Sequence, residues 1–281
     1  MPGARGGVAS THWFQDVFGF AEGAYSDTKI KFYFAEGILT STANQERFHV
    51  GPFEIIALED LRNRLGKPAS STARDAGGLS FRNIVGDARA LHRDPANAGA
   101  VFQVASQFNC LEMNEPGARP EDGVTRYAVD ATQGPACALA CPAATVFRNY
   151  FVNGKGQAGN HQVDCLSGVG ALVRNDTEGY WRMVNGYCLP RADGSIAKLS
   201  KALEKDAALG DAVRSKLQVG IHWDTEVRGS SHRVCQVFCS ALPISYAKST
   251  KSADWQTFAK AVLDAAFDAT LAAAALLAAE R

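Results

Sequence analysis

The 281 residues carry 29 basic and 29 acidic side chains, a formal net charge of zero, with 46% apolar and 21% charged residues. A chain of this length can bury a sizeable core in one large domain or two small ones. Its charge balance provides no general field for polyanions or anionic lipid, so nucleic-acid binding or membrane attachment as the main task is not expected.

The opening "MPGARGGVASTH" has one arginine and no apolar run of the kind a secretory signal needs. No stretch reads as a membrane span of ~20 apolar residues, the alanine-rich "ATLAAAALLAAER" included. Seven cysteines at 110, 137, 141, 165, 188, 235 and 239 are odd in number and scattered, which fits a reducing compartment better than a disulfide framework. The expectation is a soluble cytoplasmic protein.

In chain order, Ile30, Phe32 and Phe34 alternate with Lys29, Lys31 and Tyr33, and a polar "STANQE" turn leads into "RFHVGPFEIIA". This pattern predicts strands joined by a turn between 29 and 57. "LEDLRNRLGKP" reads as a short helix closed by Gly and Pro, and "ASSTARDAGG" as a loop. Leu79, Phe81, Ile84 and Val85 predict a strand, "DARALHRDPANAG" a turn with a short helix, and "AVFQVASQF" a strand apolar enough to be buried on both faces. Residues 114 to 134 form a long Pro-, Gly- and acid-rich loop of a length that usually carries a function.

"PACALACPAATVFRNYF" predicts a helix that Pro142 kinks or restarts, because proline lacks the N–H donor and its ring clashes with the preceding turn. "GALVRN" and "WRMVNGYCL" read as strands, "SIAKLSKALEKDAALGDAVRSKL" as one or two amphipathic helices, and "LQVGIHW" and "RVCQVFCSAL" as further strands. Trp255, Phe258, Val262, Leu263, Phe267 and Leu271 recur at steps of three and four on a closing helix. Alternating strands and helices argue for an α/β protein, a mixed sheet between two helical layers. No repeat or interdomain linker is evident, so residues 1–281 read as a single domain.

Several motifs compete for the function. "GKGQAG" at 154–159 has the dinucleotide-loop spacing but follows a predicted helix where the fingerprint needs a strand, so a plain loop explains it better. Cys137, Cys141, His161 and Cys165 could converge on zinc in a structural or interaction domain, although "CALAC" lies in an apolar helix and lacks a tight knuckle; no metal is expected. "SIAK" at 195–198 has the S-x-x-K spacing without its companion motifs. Asp224, at a strand end, is a reserve candidate, whereas His222 reads as a packed strand residue.

"IVGDA" at 84–88 followed by "FQVASQFN" at 102–109 resembles the macrodomain superfamily, in which one strand ends on Gly-Asp and a second closes on Asn. The resemblance implies a three-layer α/β/α fold with a mixed central sheet, whose ADP-ribose-binding core spans 79–281 behind a β-rich elaboration at 1–78. It implies that Asp87 accepts from the adenine amine, with Ala88 beside it, and that Gln107 and Asn109 meet the distal ribose. Chemically, a carboxylate suits an exocyclic amine, and a side-chain amide both donates to and accepts from hydroxyls.

"PEDGVTRYAVDATQGPACA" from Pro120, with "GIHWDTEV" and "CQVFCSALPISYA", is similar to a narrower group, the MavL-like macrodomains that remove ADP-ribose from arginine. Ala88 stands where isoleucine is usual, and "CLEMNEPGARPEDGV" replaces the triple glycine after Asn109, which argues against simple ester-linked substrates. The expected catalytic pair is Asp122 and Asp130. Thr132, Gln133 and Gly134, at a helix start followed by Pro135, suit the pyrophosphate, since free N–H groups and the helix dipole favour an anion there. Ser240, Ala241, Leu242, Pro243, Ser245 and Tyr246 form the expected second phosphate loop. The implied function is an ADP-ribosyl hydrolase acting on arginine-linked ADP-ribose in proteins, without a cofactor. The alternatives are a non-catalytic ADP-ribose reader and a hydrolase of free nucleosides or nucleotide sugars.

Overall fold

A computed structural model describes residues 12–66, 79–113, 115–130, 132–153, 162–191, 193–240 and 252–279. In chain order the helices are α1 (Trp13–Phe18), α2 (Tyr25–Lys29), α3 (Leu58–Leu65), α4 (Ala88–Arg93), α5 (Gln133–Ala140), α6 (Pro142–Phe147), α7 (Ser167–Leu172), α8 (Asn175–Glu178), α9 (Ser195–Lys205), α10 (Ala207–Lys216) and α11 (Ser252–Ala279). The strands are β1 (Phe32–Ala35), β2 (Ile38–Ser41), β3 (Arg47–His49), β4 (Phe53–Ala57), β5 (Val101–Ala105), β6 (Trp181–Val184), β7 (Tyr187–Pro190), β8 (Gln218–Glu226) and β9 (Arg233–Cys239). The protein is of mixed α/β class.

The main sheet has the order β4-β8-β9-β5. β8 is antiparallel to β4 and β9, whereas β5 runs parallel to β9, with Val101 opposite Cys235 and Ala105 opposite Cys239. Because strand side chains alternate faces, β9 shows how both sides are covered. Val234 packs with Ala140, Cys141 and Ala144 of α5 and α6, and the Gln236 amide donates to the Cys137 carbonyl. The Cys239 thiol, on the opposite face, meets Ala266 and Thr270 of α11. Helices therefore lie against both faces of a mixed sheet. β4, within the predicted N-terminal elaboration, pairs along its whole length with β8 and belongs to this sheet.

A separate antiparallel sheet, β1-β2-β3, carries a second core. Trp13, Phe14, Phe18, Phe32 and Phe48 bury their rings there beside Tyr150 and Leu139. β6 and β7 form a hairpin whose Asn185 and Gly186 both have positive φ, 47° and 78°. That is the turn an Asn-Gly pair favours.

Several expectations are corrected. Residues 79–86 contain no strand, and Leu79, Phe81, Ile84 and Val85 are exposed. "GALVRN" is helical: Leu166, Val169 and Val173 are buried at steps of three and four, a helical period. β5 is only half-buried because it is an edge strand. The closing helix is longer than expected, and Asp254–Ala279 meets the length and composition of a membrane span. Its Trp255, Phe258, Val262 and Ala266 nevertheless pack into the main core, while Leu263, Phe267 and Leu271, expected on the same face, are exposed. Pro142 does break the helix, with Cys141 at φ −123° and ψ 68° between α5 and α6.

Candidate functional site

In open α/β sheets ligands bind beyond the carboxyl ends of parallel strands. Here β5 and β9 end together: Ser106 N–H donates to the Cys239 carbonyl at 3.3 Å, and Ser240 Oγ donates to the Ser106 carbonyl at 3.0 Å. α5 begins against this crest. A Cβ on Gly134 would stand 2.2 Å from the Ala105 carbonyl oxygen, so only glycine lets the helix approach the strand this closely. Asp130 precedes the helix, its Oδ1 accepting from Thr132 N–H at 2.8 Å and from the Thr132 hydroxyl at 2.6 Å.

Gln133 takes a part not expected of it. Its side-chain Oε1 accepts from Ala105 N–H at 2.8 Å, while Nε2 donates to the Gln103 carbonyl at 2.8 Å. The amide thus makes the two bonds that a neighbouring strand would make. Asp87 is the N-cap of α4, its Oδ1 accepting from Arg89 N–H at 2.8 Å and Ala90 N–H at 3.4 Å. α4 packs on α5, and Gly86, Ala88 and Gln133 share the wall of one cavity of about 480 Å³.

The crest therefore brings together Asp130, Thr132, Gln133, Gly134 and Ser240, with Ala88 on the adjoining cavity. Asn109 and Gln107 are turned elsewhere. Asn109 is fully buried; Nδ2 donates to Gln162 at 2.8 Å and Oδ1 accepts from Leu111 N–H at 3.1 Å. Gln107 Oε1 accepts from Met113 N–H at 2.6 Å, and Nε2 donates to Tyr187. Both amides serve the bend after β5, an internal demand that competes with ribose for the same atoms. Asp122 is exposed and closes a 3-10 turn, accepting from Arg119 N–H at 2.9 Å with the Arg119 guanidinium 3.5 Å away. Ala241, Leu242, Pro243, Ser245 and Tyr246 lie outside the described residues, as do His161 and the 154–159 glycine motif.

Beneath the crest lies a pair that periodicity does not reveal. Glu112 Oε1 meets Arg148 Nη2 at 2.7 Å, both side chains fully buried. The guanidinium also lies over the Phe238 ring at 3.9 Å and donates from Nε to the Cys110 carbonyl. Burial pushes the Glu112 carboxyl up to about 7, against the pull of Arg148. Glu22 was missed as well: its carboxylate accepts from Val124 N–H, Thr125 N–H and the Tyr150 hydroxyl, tying the segment before Asp130 to the N-terminal core.

The remaining candidates have structural partners. His222 is buried against Phe53 at 4.5 Å between ring centroids, and desolvation holds its pKa well below the usual imidazole value. Asp224 holds His49 at 3.1 Å and Arg233 at 2.7 Å. Cys137 and Cys141 are buried, and the Cys165 thiol faces Cys110 at 3.6 Å. Among the described residues no three His, Cys, Asp or Glu side chains are grouped to hold a metal. Ser195 Oγ of "SIAK" donates to the Gly179 carbonyl inside amphipathic α9.

Comparison with protein-family models, curated proteins and solved structures finds no match.

Proposed function

We propose that this chain is a macrodomain-like hydrolase that releases mono-ADP-ribose from arginine side chains of proteins. The observation that carries the reading is the position of Asp130. It stands at the start of α5, beside the carboxyl ends of parallel β5 and β9, and both its local hydrogen bonds fall on Oδ1. Oδ2 can therefore address a water or a sugar hydroxyl.

In this reading the peptide N–H groups of Gln133 and Gly134 open the helix and, with its dipole, receive the pyrophosphate. Asp87, between the cavity-lining Gly86 and Ala88, accepts from adenine. Cleavage of the ribose–guanidinium bond builds oxocarbenium character, so an adjacent carboxylate stabilises the transition state more than the ground state. Asp130 orients and deprotonates the attacking water. Asp122, fixed by Arg119, holds ribose hydroxyls or the guanidinium. Asn109 and Gln107 drop out of the contact set because their amides are engaged within the fold. A reader without turnover is the second reading, favoured by the fact that Asp122 and Asp130 both also cap local turns.

The test is incubation with arginine-ADP-ribosylated protein beside serine- and glutamate-linked controls, measuring free ADP-ribose. Asp130→Asn is expected to lower turnover by ~10²- to 10⁴-fold, the contribution of a positioned base, with ADP-ribose affinity little changed. Equal loss of turnover and affinity would remove the catalytic assignment. Binding with no release from any linkage would establish the reader.

A further inference from the structure

β5 is an edge of the main sheet, and its open side is only partly covered. The Ala100 carbonyl accepts from Cys235 N–H and Ser106 N–H donates to Cys239, so the even residues address β9. By the alternation of a ladder, Val101, Gln103 and Ala105 turn their peptide groups outward. The Gln133 amide satisfies Ala105 N–H and the Gln103 carbonyl. Upstream, among the described residues, no strand lies beside the Val101 peptide groups and Gln103 N–H.

The facing wall of the 480 Å³ cavity is residues 79–84 and Gly86, the stretch whose composition predicts a strand. Its side chains already alternate. Phe81 sets its ring against Phe267 of α11, 5.6 Å between centroids. Ile84, of opposite parity, approaches α4: a Cβ on Gly86 would lie 3.8 Å from Ile84 Cγ2 and 3.7 Å from Leu91 Cδ1. These are the two faces that β5 presents, since Phe102 stacks on His92 of α4 at 3.8 Å while Thr270 and Leu271 of α11 line the cavity from the other side. Phe81 is 64% exposed and Val85 fully so, a cost that pairing would relieve.

We infer that residues 79–85 close onto the free edge of β5 as a fifth, parallel strand, and that the cavity is the gap this strap leaves when it stands off. The connection through α4 to β5 has the length and the helix that a parallel crossover needs, roughly a dozen residues or more. Parallel closure sets Gly86 and Asp87 at the same end of the sheet as Ser106, Ser240 and the start of α5. Gln133 holds the part of the edge beyond the strap. The strap does not depend on the ADP-ribose reading, and its test needs no ligand.

The test is amide hydrogen exchange by NMR on the full chain. Closure predicts that Val101 and Gln103 N–H exchange at least ~10-fold more slowly than open loop amides. Arg82→Pro and Asn83→Pro discriminate, because successive residues of a strand direct N–H groups to opposite sides. One proline removes a donor to β5 and the other faces solvent. Loss of protection at Val101 and Gln103 in at least one variant, with β8 and β9 amides unchanged, supports the strap. Loop-rate exchange of both amides in the unsubstituted chain, or protection unaltered by either proline, overturns it.

Discussion

Two acids stand near the start of α5, one sealed in the core and one partly exposed. Glu112 lies with its Cγ 3.2 Å from where a Gly134 side chain would begin, and is sealed against Arg148. Asp130 is partly exposed, and among the described residues its carboxylate bonds to Thr132. The same functional group thus serves two ends. The buried acid is committed to the fold because its ionisation depends on one permanent cation, whereas Asp130 makes its bonds to Thr132 through Oδ1.

Breaking the buried pair gives the largest expected effect on stability. An arginine cannot shed its proton, while Glu112, already pushed up to about 7, can take one. Glu112→Gln leaves Arg148 charged and without its carboxylate, so it should cost about 3–5 kcal/mol at pH 8, where the parent's Glu112 is ionised, and less at pH 5.5, where that carboxyl is largely protonated. Arg148→Met should cost less at pH 5.5 than at pH 8, where the stranded carboxyl must ionise or hold its proton against solvent. Denaturant unfolding of both variants at the two pH values checks this shared dependence. A Glu112→Gln variant as stable as the parent at pH 8 would show the pair to be dispensable.

Next in size is His92, stacked on Phe102 and held by burial to a pKa of about 4. Its folded value lies below the unfolded one, so between about 4 and 6.5 the unfolded chain binds the extra proton. Stability from this group is full above pH 6.5 and is lost as pH falls toward 4, on the order of 3 kcal/mol. Glu112 pulls in the opposite sense, since a raised carboxyl pKa favours the folded state as pH falls below 7. His92→Phe should remove the acid-side loss and leave the Glu112 slope, which urea titrations at pH 4.5 and 7 would resolve.

Gly134→Ala probes the close approach of α5 to β5. A methyl group 2.2 Å from the Ala105 carbonyl forces α5 away from β5, an overpacking cost of about 1–3 kcal/mol. Because Asp130 and Thr132 move with the helix, the same substitution should lower turnover on arginine-linked substrate. Thermal unfolding and ADP-ribose release measure the two effects on one variant.

What could be read from the chain divides along the same line. "WRMVNGYCL", expected simply as strand, folds as the β6–β7 hairpin about Asn185-Gly186, while the α5–α6 break announces itself through Pro142 and α9 through its apolar spacing, because each depends on residues close in sequence. The Glu112–Arg148 pair, the Glu22 anchor and the burial of Asn109 depend on partners far along the chain and leave no periodic trace. Residues 79–85 show the converse: their composition is that of a strand, but a strand needs an edge to pair with, and pairing is not a local property. At the site, a helix start after an acidic loop was legible at Asp130 to Gly134, while the orientation of Gln107 and Asn109 was not.

Gln133 gives the smallest effect and the sharpest contrast. If its role is only to open α5, Gln133→Glu should stabilise, since an anion at a helix N-terminus gains about 0.3–1 kcal/mol. If its amide caps the edge of β5, Gln133→Glu loses the donor to the Gln103 carbonyl and sets a carboxylate against that oxygen. Gln133→Ala, by comparison, lets water reach both peptide groups on an exposed edge and should cost about 1 kcal/mol. Edge capping therefore predicts that glutamate is no better than alanine, and chemical denaturation of the two variants orders them. Glutamate above the parent would assign Gln133 to the helix alone and leave β5 to be covered by the strap along its whole length.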